Sequence, residues 1–415
     1  MSRHFVLVLP PFAPMGPIAQ YFWVLQKWLH DFAGQHSTVI LPRRYADRFE
    51  EISGWEFDEE IGRQNQYVPS HAMPENVDRI FYDEEMIALG RKDAANARFS
   101  HYVTHALDPF VAFYDAVLSG LKAKGIQQPV CLSWVNNPSL RIAADRHDCP
   151  TIFAELGPLR APTYQASAYW DPAGVNGATR AASLWREEKA AFSTWLGEQC
   201  TADVRSWVRS KMVVPAMQQA VTSDDEHFDA GLALQIETDS NLLAYGNGWT
   251  NLGLVEHVDQ LPDVASKVIK YHPHGKAIYE GPVWPNGSAT SFLSSVSKLY
   301  TINSSMGMEA ALWGKDVEIF GDSPFLPYFE EEGAAQDSFL AWFFLRYLCP
   351  YEVVFDGAYH DWRLSNPSCG EIAERHLAHY ARPEAGRWRD ARVAQHVAPS
   401  DEYIYFGPMH DLIPR

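Results

Sequence analysis

Residues 299–322 read LYTINSSMGMEAALWGKDVEIFGD, and the prediction of the fold starts from this stretch. Its first five residues predict a short buried strand, residues 308–313 have helical composition, and a second strand is predicted from Asp316 to Phe320. The stretch is therefore a βαβ unit. The first N–H groups of a helix lack intrahelical partners and carry the positive end of its dipole, so the turn at Ser304 and Ser305 suits an anion, typically a phosphate.

Two interpretations of this turn remain open. In the first, the hydroxyls of Ser304 and Ser305 bind a phosphate, and Glu309, one turn later, holds ribose hydroxyls. In the second, Ser304 is a simple N-cap in an ordinary βαβ unit whose helix ends at Gly314. The chain has no glycine fingerprint of a dinucleotide site or P-loop that would decide between them.

Length and composition predict a globular chain of two domains. The 415 residues exceed what one core usually holds, and 47% hydrophobic residues suffice to fill two. The formal net charge of −18 argues against nucleic acid as a partner and against a generally cationic membrane-binding face. A local pocket for an anionic small molecule remains compatible with this charge.

Cysteine usage and apolar runs predict a cytoplasmic protein. The five cysteines are widely spaced, odd in number and without a CxxC pair, which is typical of a reducing compartment and offers no metal framework. The run Phe5–Leu9 stops at Pro10 and is too short for a signal peptide, so it is read as the first strand of a sheet. The run Phe339–Leu348 contains Arg346 and is not expected to cross a bilayer.

Strands and helices alternate along the chain, which predicts a doubly wound α/β fold. We expect residues 1–225 to form a first α/β domain, residues 226–400 a second α/β domain, and residues 401–415 a tail. The helical pattern after Asp337 predicts helices that brace the first domain.

Three longer segments were assigned from their composition. The charged section from Tyr45 to Arg98 predicts surface helices, and Thr163 to Thr179, rich in glycine, proline and aromatics, predicts an ordered loop over a cleft. Residues Ala181 to Lys211 predict a long helical stretch.

Four polar clusters follow predicted strands, where sites of doubly wound folds lie. They are Glu155 with the segment DPAGVN at 171–176, Asp239 in LQIETDSN, the basic group His272, His274 and Lys276 in KYHPHGK, and the serine turn. Basic groups beside a helix N-terminus neutralise a phosphate leaving group. A carboxylate nearby attacks a carbon or takes a proton.

Each cluster also has a purely structural interpretation. His272 and His274 form a His-x-His zinc pattern, but no third ligand accompanies them at a convincing spacing, so no metal is expected. Asp239 could cap a helix that begins near Leu242. Glu155 could be a buried acid paired with Arg160.

The segments ELGPLRAPTYQ, DPAGVN, LQIETDSN, KYHPHGK and INSSMGMEAALWGKDV, in this order, resemble the retaining β-Kdo transferases of bacterial O-antigen and capsule polysaccharide assembly. The resemblance spans residues 152–317, and a single copy of the motifs is most similar to the O-antigen chain-terminating domain. Asp316 stands where the capsule enzymes tend to have proline, which loosens the capsule match more than the family match.

The resemblance implies a GT-B-like arrangement of two Rossmann-like domains facing a cleft, with residues 1–225 as the acceptor-side domain and residues 226–400 as the CMP-sugar-binding domain. It also implies CMP-β-Kdo as donor, retention of the β anomer and no metal cofactor. Asp239 would be the nucleophile that holds the sugar covalently, and Glu155 the acid or base that serves the acceptor hydroxyl. The CMP site would comprise His272, His274, Lys276, Ser304, Ser305 and Glu309.

The acceptor is expected to be a glycan, most simply the non-reducing end of an O-polysaccharide. Its binding surface is expected at Pro10–Pro17 and near Tyr164, Tyr169 and Trp170. Association with other polysaccharide-assembly domains at the inner membrane face is a further expectation. The alternatives are a capsule linker β-Kdo transferase, a transferase or epimerase using a UDP- or GDP-sugar, and an inactive glycan-binding module.

Overall fold

The computed structural model of the chain describes most of both predicted domains. The residues described are 3–11, 21–32, 35–47, 49, 62, 65, 67–68, 70, 72–83, 86, 95–214, 227–237, 239–272, 275, 277–285 and 288–381.

The larger sheet is built mainly from the first half of the chain. Its strands within the described residues are β1 Phe5–Val8, β2 Ser37–Leu41, β3 Val77–Phe81, β4 Val130–Trp134, β5 Thr151–Leu156, β6 Ser167–Asp171 and β11 Cys349–Pro350. They follow the order β11-β6-β5-β4-β1-β2-β3. The run from β5 to β3 is parallel, whereas β6 pairs antiparallel with β5 and β11 antiparallel with β6. Strands β1, β2 and β4 are buried throughout, as parallel strands covered on both faces require.

The second sheet is wholly parallel and contains the stretch with which the sequence analysis began. Its strands in the described chain are β7 Phe228–Ala233, β8 Lys267–Lys270, β9 Val296–Thr301 and β10 Asp316–Ile319, in the order β10-β9-β7-β8. The predicted βαβ unit is confirmed, because β9 and β10 pair in parallel and a helix at Met306–Leu312 connects them.

Helices cover both sheets. Those of the described residues are α1 Phe22–Asp31, α2 Arg43–Asp47, α3 Ala95–Thr104, α4 Asp108–Ala123, α5 Pro138–Arg146, α6 Ala181–Gln199, α7 Val204–Met212, α8 Ser240–Tyr245, α9 Asn251–Asp259, α10 Ala289–Ser294, α11 Met306–Leu312, α12 Gly333–Trp342, α13 Gly357–Arg363 and α14 Cys369–Tyr380. Short 3-10 turns lie at Leu326–Glu330 and Tyr351–Phe355, and a π-helical turn at Phe343–Tyr347 continues α12. The predicted α/β fold class is confirmed.

The C-terminal part of the described chain returns to the first sheet. The apolar run at 339–348 is buried against α6, where Trp342 donates to Glu188 at 2.8 Å and Arg346 forms an ion pair with the same carboxylate. Residues 349–350 then add strand β11, and Trp195 of α6 donates to Glu374 of α14 at 3.0 Å. The C-terminal helices therefore brace the first domain, as predicted.

Three predicted segments differ from the structure. Strand β3 lies inside the section predicted as surface helices, and β6 lies inside the predicted loop at 163–179. The long helical stretch is two helices, α6 and α7, which separate at residues 200–203. Strand β3 is at the edge of the sheet with one parallel neighbour, and β6 pairs antiparallel with its neighbours. Their sequences therefore lack the continuous apolar run of a central parallel strand.

The domain limits at 225 and 400 stay predictions, and the predicted tail at 401–415 lies outside the described residues. Within the part of the chain that the structure describes, no helix is long and apolar enough to cross a membrane.

The end of α11 gives a test of the βαβ unit. Gly314 has φ +76°, and its N–H and that of Lys315 close the helix on the carbonyls of Ala311 and Ala310 at 3.1 and 2.9 Å. Because a side chain is strained in this left-handed conformation, Gly314→Ala should lower the free energy of unfolding in urea by about 1 kcal/mol. Gly120→Ala is the control, since an exposed position inside α4 with no heavy atom near the added Cβ should gain up to about 1 kcal/mol. A Gly314→Ala protein as stable as the wild type would contradict this account of the helix end.

Candidate active site

Two carboxylates lie where strands of separate sheets end. Glu155 is the penultimate residue of β5, and Asp239 lies beyond β7 as the N-cap of α8. Both are partly exposed. The charge of Asp239 raises the pKa of Glu155, so these two predicted residues lie within electrostatic reach of each other.

Glu155 is held by one neighbouring loop. Its Oε2 accepts a hydrogen bond of 2.6 Å from Nδ2 of Asn176, in the DPAGVN segment. Desolvation by the surrounding protein, followed by the charge of Asp239, raises the pKa of Glu155 to about 7, although Arg160 and Asn176 oppose the shift. A carboxyl with such a pKa exchanges protons near neutral pH, which suits a general acid or base.

Asp239 caps a helix and also acts electrostatically on Glu155. Its Oδ1 accepts from the N–H of Asn241 at 2.8 Å, so the capping interpretation is correct. Burial raises its pKa, and the N–H of Asn241 and the charge of Arg160 oppose that rise. Because its charge still reaches Glu155, capping the helix and acting in the cleft are compatible roles.

Arg160 is the cation shared by the acidic groups of this site. Its Nε donates to the carbonyl of Gly157 at 3.3 Å, and its charge lowers the pKa values of Glu155, Asp239 and Glu309. No ion pair within 4 Å joins Arg160 to a carboxylate in the described part of the chain. Its guanidinium therefore influences all three acids from a distance, and the suggested Glu155–Arg160 pair is electrostatic only.

Glu309 lies on α11 and is 3% exposed. Burial raises its pKa to about 7, while a hydrogen bond from Tyr164 and the charges of Arg160 and Lys270 oppose the shift. Its Oε2 has no hydrogen-bond partner among the described residues. An unsatisfied carboxyl oxygen in this position is suited to a hydroxyl group of a ligand.

The serine turn is tied to the helix that Asp239 caps. Ser304 Oγ accepts from the N–H of Met306 at 3.3 Å, whereas Ser305 makes no side-chain capping bond. Beside them, Asn303 Nδ2 donates to the carbonyl of Asn241 at 3.1 Å, and Asn241 Nδ2 donates to the carbonyl of Asn303 at 3.3 Å. These reciprocal bonds join the first turn of α8 to the segment that follows β9.

The basic cluster is only partly described. His272 follows β8, is partly exposed, and its carbonyl accepts from the N–H of Gly275 at 2.8 Å. His274 and Lys276 lie outside the described residues. Lys270, at the end of β8, is a cation whose charge reaches Glu309. The described residues contain no cluster of three or more potential metal ligands.

The predicted aromatic surface for the acceptor is wrong for two of its three residues. Tyr164 and Tyr169 are 4% and 3% exposed, and their hydroxyls bond Trp313 and Met308 of the second domain. Trp170 is partly exposed, but its Nε1 donates to His360 at 3.0 Å. These rings pack between elements of the fold because aromatic side chains supply large buried area. Residues 12–17 of the other expected surface lie outside the described residues.

Sequence reasoning missed the groups that support the carboxylates. Asn176 stands in a motif that the sequence analysis quoted, and Arg160 was considered only as a structural partner. Lys270 is the first residue of the quoted KYHPHGK segment, and its charge was not considered. Asn136 and Tyr245 join the two domains. Asn136 is in the polar pair that follows β4, a signal that sequence reasoning did not use, whereas Tyr245 lies at the end of α8 and carries no such signal.

Two family models match the chain. Residues 7–180 match the N-terminal domain of the glycosyltransferase 99 family, and residues 283–362 match capsule polysaccharide biosynthesis proteins. The first match extends the family likeness well before residue 152, where the recognised motifs begin. No curated protein matches this chain.

Solved structures with a similar fold are distant. The β-Kdo 2,7 transferase of Thermosulfurimonas dismutans KpsC is 17% identical, covers 56% of this chain and 81% of its own, and has a TM-score of 0.39. The UDP-GlcNAc 2-epimerase of Methanocaldococcus jannaschii is 10% identical over 95% of this chain and 99% of its own, with a TM-score of 0.28. The spinosyn rhamnosyltransferase SpnG is 9% identical over 94% and 100%, with a TM-score of 0.27.

The two family matches cover the segments that carry Glu155 and Glu309, but not the segment of Asp239. The chain is thus similar to glycosyltransferases, and in particular to enzymes of capsule polysaccharide biosynthesis.

Proposed function

We propose that this protein is a retaining glycosyltransferase that moves β-Kdo from CMP-β-Kdo to a bacterial surface glycan through a covalent intermediate on Asp239. The observation that carries the proposal is the electrostatic coupling of Glu155 and Asp239, which come from the ends of two different sheets. Retention is most simply reached by two inversions, and this route needs one carboxylate as nucleophile and one as proton acceptor.

In the first step, an ionised Asp239 oxygen bonds to the anomeric carbon. The bond between that carbon and the phosphate oxygen breaks, and its electron pair leaves on CMP. A phosphate monoester leaves without being protonated, so nearby cations suffice. Lys270 and Arg160 are cations of the described site, and His272, His274 and Lys276 are the further candidates proposed for CMP. Ser304, Ser305 and Glu309 complete the proposed CMP site, and no metal is required.

In the second step, the acceptor hydroxyl bonds to the same carbon, Asp239 leaves as a carboxylate, and the hydroxyl proton passes to Glu155. The ester on Asp239 carries no charge. Formation of the intermediate therefore removes the contribution by which Asp239 raises the pKa of Glu155.

Arg160 gives the site a preference for an acidic sugar. Kdo carries a carboxylate next to its anomeric carbon, so its approach to Asp239 brings two negative groups together. Arg160 lies within electrostatic reach of Asp239 and, in the described chain, is not committed to an ion pair. Its charge can therefore offset that repulsion, which in poorly screened surroundings amounts to a few kcal/mol.

For the acceptor, we propose the non-reducing end of an O-polysaccharide, with the reaction on the cytoplasmic side of the inner membrane beside other polysaccharide-assembly domains. The match of residues 283–362 to capsule proteins favours one second candidate, a capsule linker transferase that extends a glycolipid-linked Kdo primer.

A donor and acceptor assay tests this function. With CMP-Kdo generated in place, rhamnose- or N-acetylglucosamine-ended oligosaccharides should gain one Kdo in the β configuration, as read by mass spectrometry and NMR. EDTA should leave the rate unchanged, and CMP rather than UDP or GDP should raise the melting temperature by mass action. Preference for the Kdo primer would favour the capsule candidate, while transfer from a UDP- or GDP-sugar would refute the proposal.

A trapping experiment tests the two carboxylates separately. Glu155→Gln should slow the acceptor step at least tenfold and let a Kdo adduct accumulate on Asp239, detected by intact mass and peptide mapping. Asp239→Asn should fold, because asparagine caps helices as well as aspartate does, and should form no adduct. Glu237→Gln, a carboxylate two residues before Asp239, is the matched control and should turn over normally. An adduct on another residue would exclude Asp239 as nucleophile.

The raised pKa of Glu155 makes a prediction that does not depend on activity. The folded protein holds a proton on Glu155 up to about pH 7, whereas the unfolded chain loses it near the ordinary value of 4.5. Stability therefore falls as pH rises between these two values, because the unfolded chain gains the free energy of ionising this carboxyl while the folded protein keeps its proton. Glu155→Gln should match the wild-type melting temperature at pH 5 and exceed it by about 2 °C at pH 8. An equal difference at both pH values would show that the Glu155 pKa is not raised.

A further inference from the structure

The helix that Asp239 caps is anchored at its other end in the first domain. Helix α8 has six residues and ends at Tyr245, whose side chain is buried. The Tyr245 hydroxyl donates to the carbonyl of Val103 at 3.2 Å and accepts a hydrogen bond from Nδ2 of Asn136. Because six helical residues rise only about 9 Å, the position of Tyr245 strongly constrains that of Asp239.

Asn136 also shapes the loop that holds Glu155. Its Nδ2 lies 3.0 Å from the carbonyl oxygens of both Val175 and Gly177, and its Oδ1 accepts from the N–H of Val175 at 2.5 Å. The preceding residue, Val135, has φ +70°, which is a genuine outlier for a β-branched residue. Backbone strain of this kind persists where the surrounding structure requires one placement of a side chain.

The same loop contacts Tyr245 and Glu155 at adjacent residues. Asn176 donates to Glu155 at 2.6 Å, and a Cβ added to Gly177 would lie 2.2 Å from Cδ1 of Tyr245. The Tyr245 ring therefore lies directly against the loop backbone. One residue further, the N–H of Ala178 donates to Asp322 Oδ2 at 3.0 Å.

Asp322 closes this set of contacts from the second domain. Its own N–H donates to the carbonyl of Tyr245 at 2.8 Å. Helix α8 is thus joined to the loop at 171–178 in three ways: by the Tyr245 hydroxyl through Asn136, by the Tyr245 ring, and by Asp322. The loop holds Glu155 directly, and α8 begins at Asp239.

We propose that Tyr245 is a positioning residue that sets the separation of Asp239 and Glu155 by anchoring α8 to Asn136 and Gly177. The role of this separation in transfer rests on the proposed function, since a nucleophile misplaced by about 1 Å is sufficient to cost about 100-fold in rate. The anchoring itself is a statement about the free protein, so it is testable without turnover.

Tyr245→Phe removes the hydroxyl and keeps the ring. The Asn136 amide stays satisfied in this variant, because its two hydrogens have the Val175 and Gly177 carbonyls as acceptors. We expect a folded protein whose kcat for transfer falls at least tenfold while the KM for the donor changes less than about twofold. Tyr359→Phe is the matched control: it loses a buried hydroxyl bond of 2.6 Å to His376 between two C-terminal helices and should keep the wild-type kcat.

The pKa of Glu155 reports the separation directly. In the described structure, some groups change the pKa of Glu155 and others have their own pKa changed by its charge; together they are Asp239, Arg160, Asn176, Tyr21, Tyr169 and Tyr245. At pH 7 the tyrosines are neutral, so a displaced α8 changes chiefly the contribution of Asp239. In an NMR titration of 13C-labelled glutamate, with Glu155→Gln identifying the signal, Tyr245→Phe should lower the Glu155 pKa and Tyr359→Phe should leave it unchanged.

Gly177→Ala extends the test by displacing the ring. It should lower both kcat and the Glu155 pKa more than Tyr245→Phe does, and its added effect should vanish in a Tyr245→Ala background, where the ring is absent. A wild-type Glu155 pKa in both Tyr245→Phe and Gly177→Ala would overturn the proposal. If the wild-type protein has no transferase activity but the variants show the expected changes in the Glu155 pKa, the proposed function is refuted and the positioning role of Tyr245 stays supported.

Discussion

Electrostatic repulsion of Glu155 by Asp239, in surroundings that partly desolvate both carboxyl groups, is the constraint on which this site depends. The two residues come from different sheets; burial raises the pKa of each, and the charge of Asp239 raises that of Glu155 further. The protein holds them together with contacts that do not neutralise them: one amide on Glu155, backbone N–H groups on Asp239, and the charge of Arg160 shared between them. A site arranged in this way keeps one acid near its titration point at neutral pH.

The parallel sheets explain why these groups meet. The carboxyl ends of parallel strands lie at one edge of a sheet, so the segments after β7, β8 and β9 emerge at one edge of the second sheet, and Glu155 lies at the corresponding edge of the first. The residues that follow those strands are polar, and the cores beneath them are almost wholly apolar. The strands therefore supply the hydrophobic cores, and the residues after their carboxyl ends supply the polar groups of the site.

The two domains are joined by a shared hydrophobic cluster and by specific polar contacts. Tyr245 of the second domain bonds Asn136, which holds the loop that supports Glu155; Asp322 bonds that loop directly, and Trp313 bonds Tyr164. The returning C-terminal segment adds strand β11 to the first sheet and packs against α6. The two carboxylates are consequently placed by the fold as a whole and not by either sheet alone.

Local sequence patterns predict the alternation of strands and helices, the βαβ unit at 299–322 and the placement of Glu155 and Asp239 at strand ends. These features can be predicted because periodicity, capping residues and glycines act over a few neighbouring positions. Only the tertiary structure decided that β3 and β6 are strands, that Tyr164 and Tyr169 are buried, and that Arg160, Asn136 and Tyr245 serve the carboxylates. Asn136 and Tyr245 are 109 positions apart, and their bond exists only after two separately folded sheets have packed together. No local pattern encodes such a contact, since it depends on the distance and orientation of whole elements.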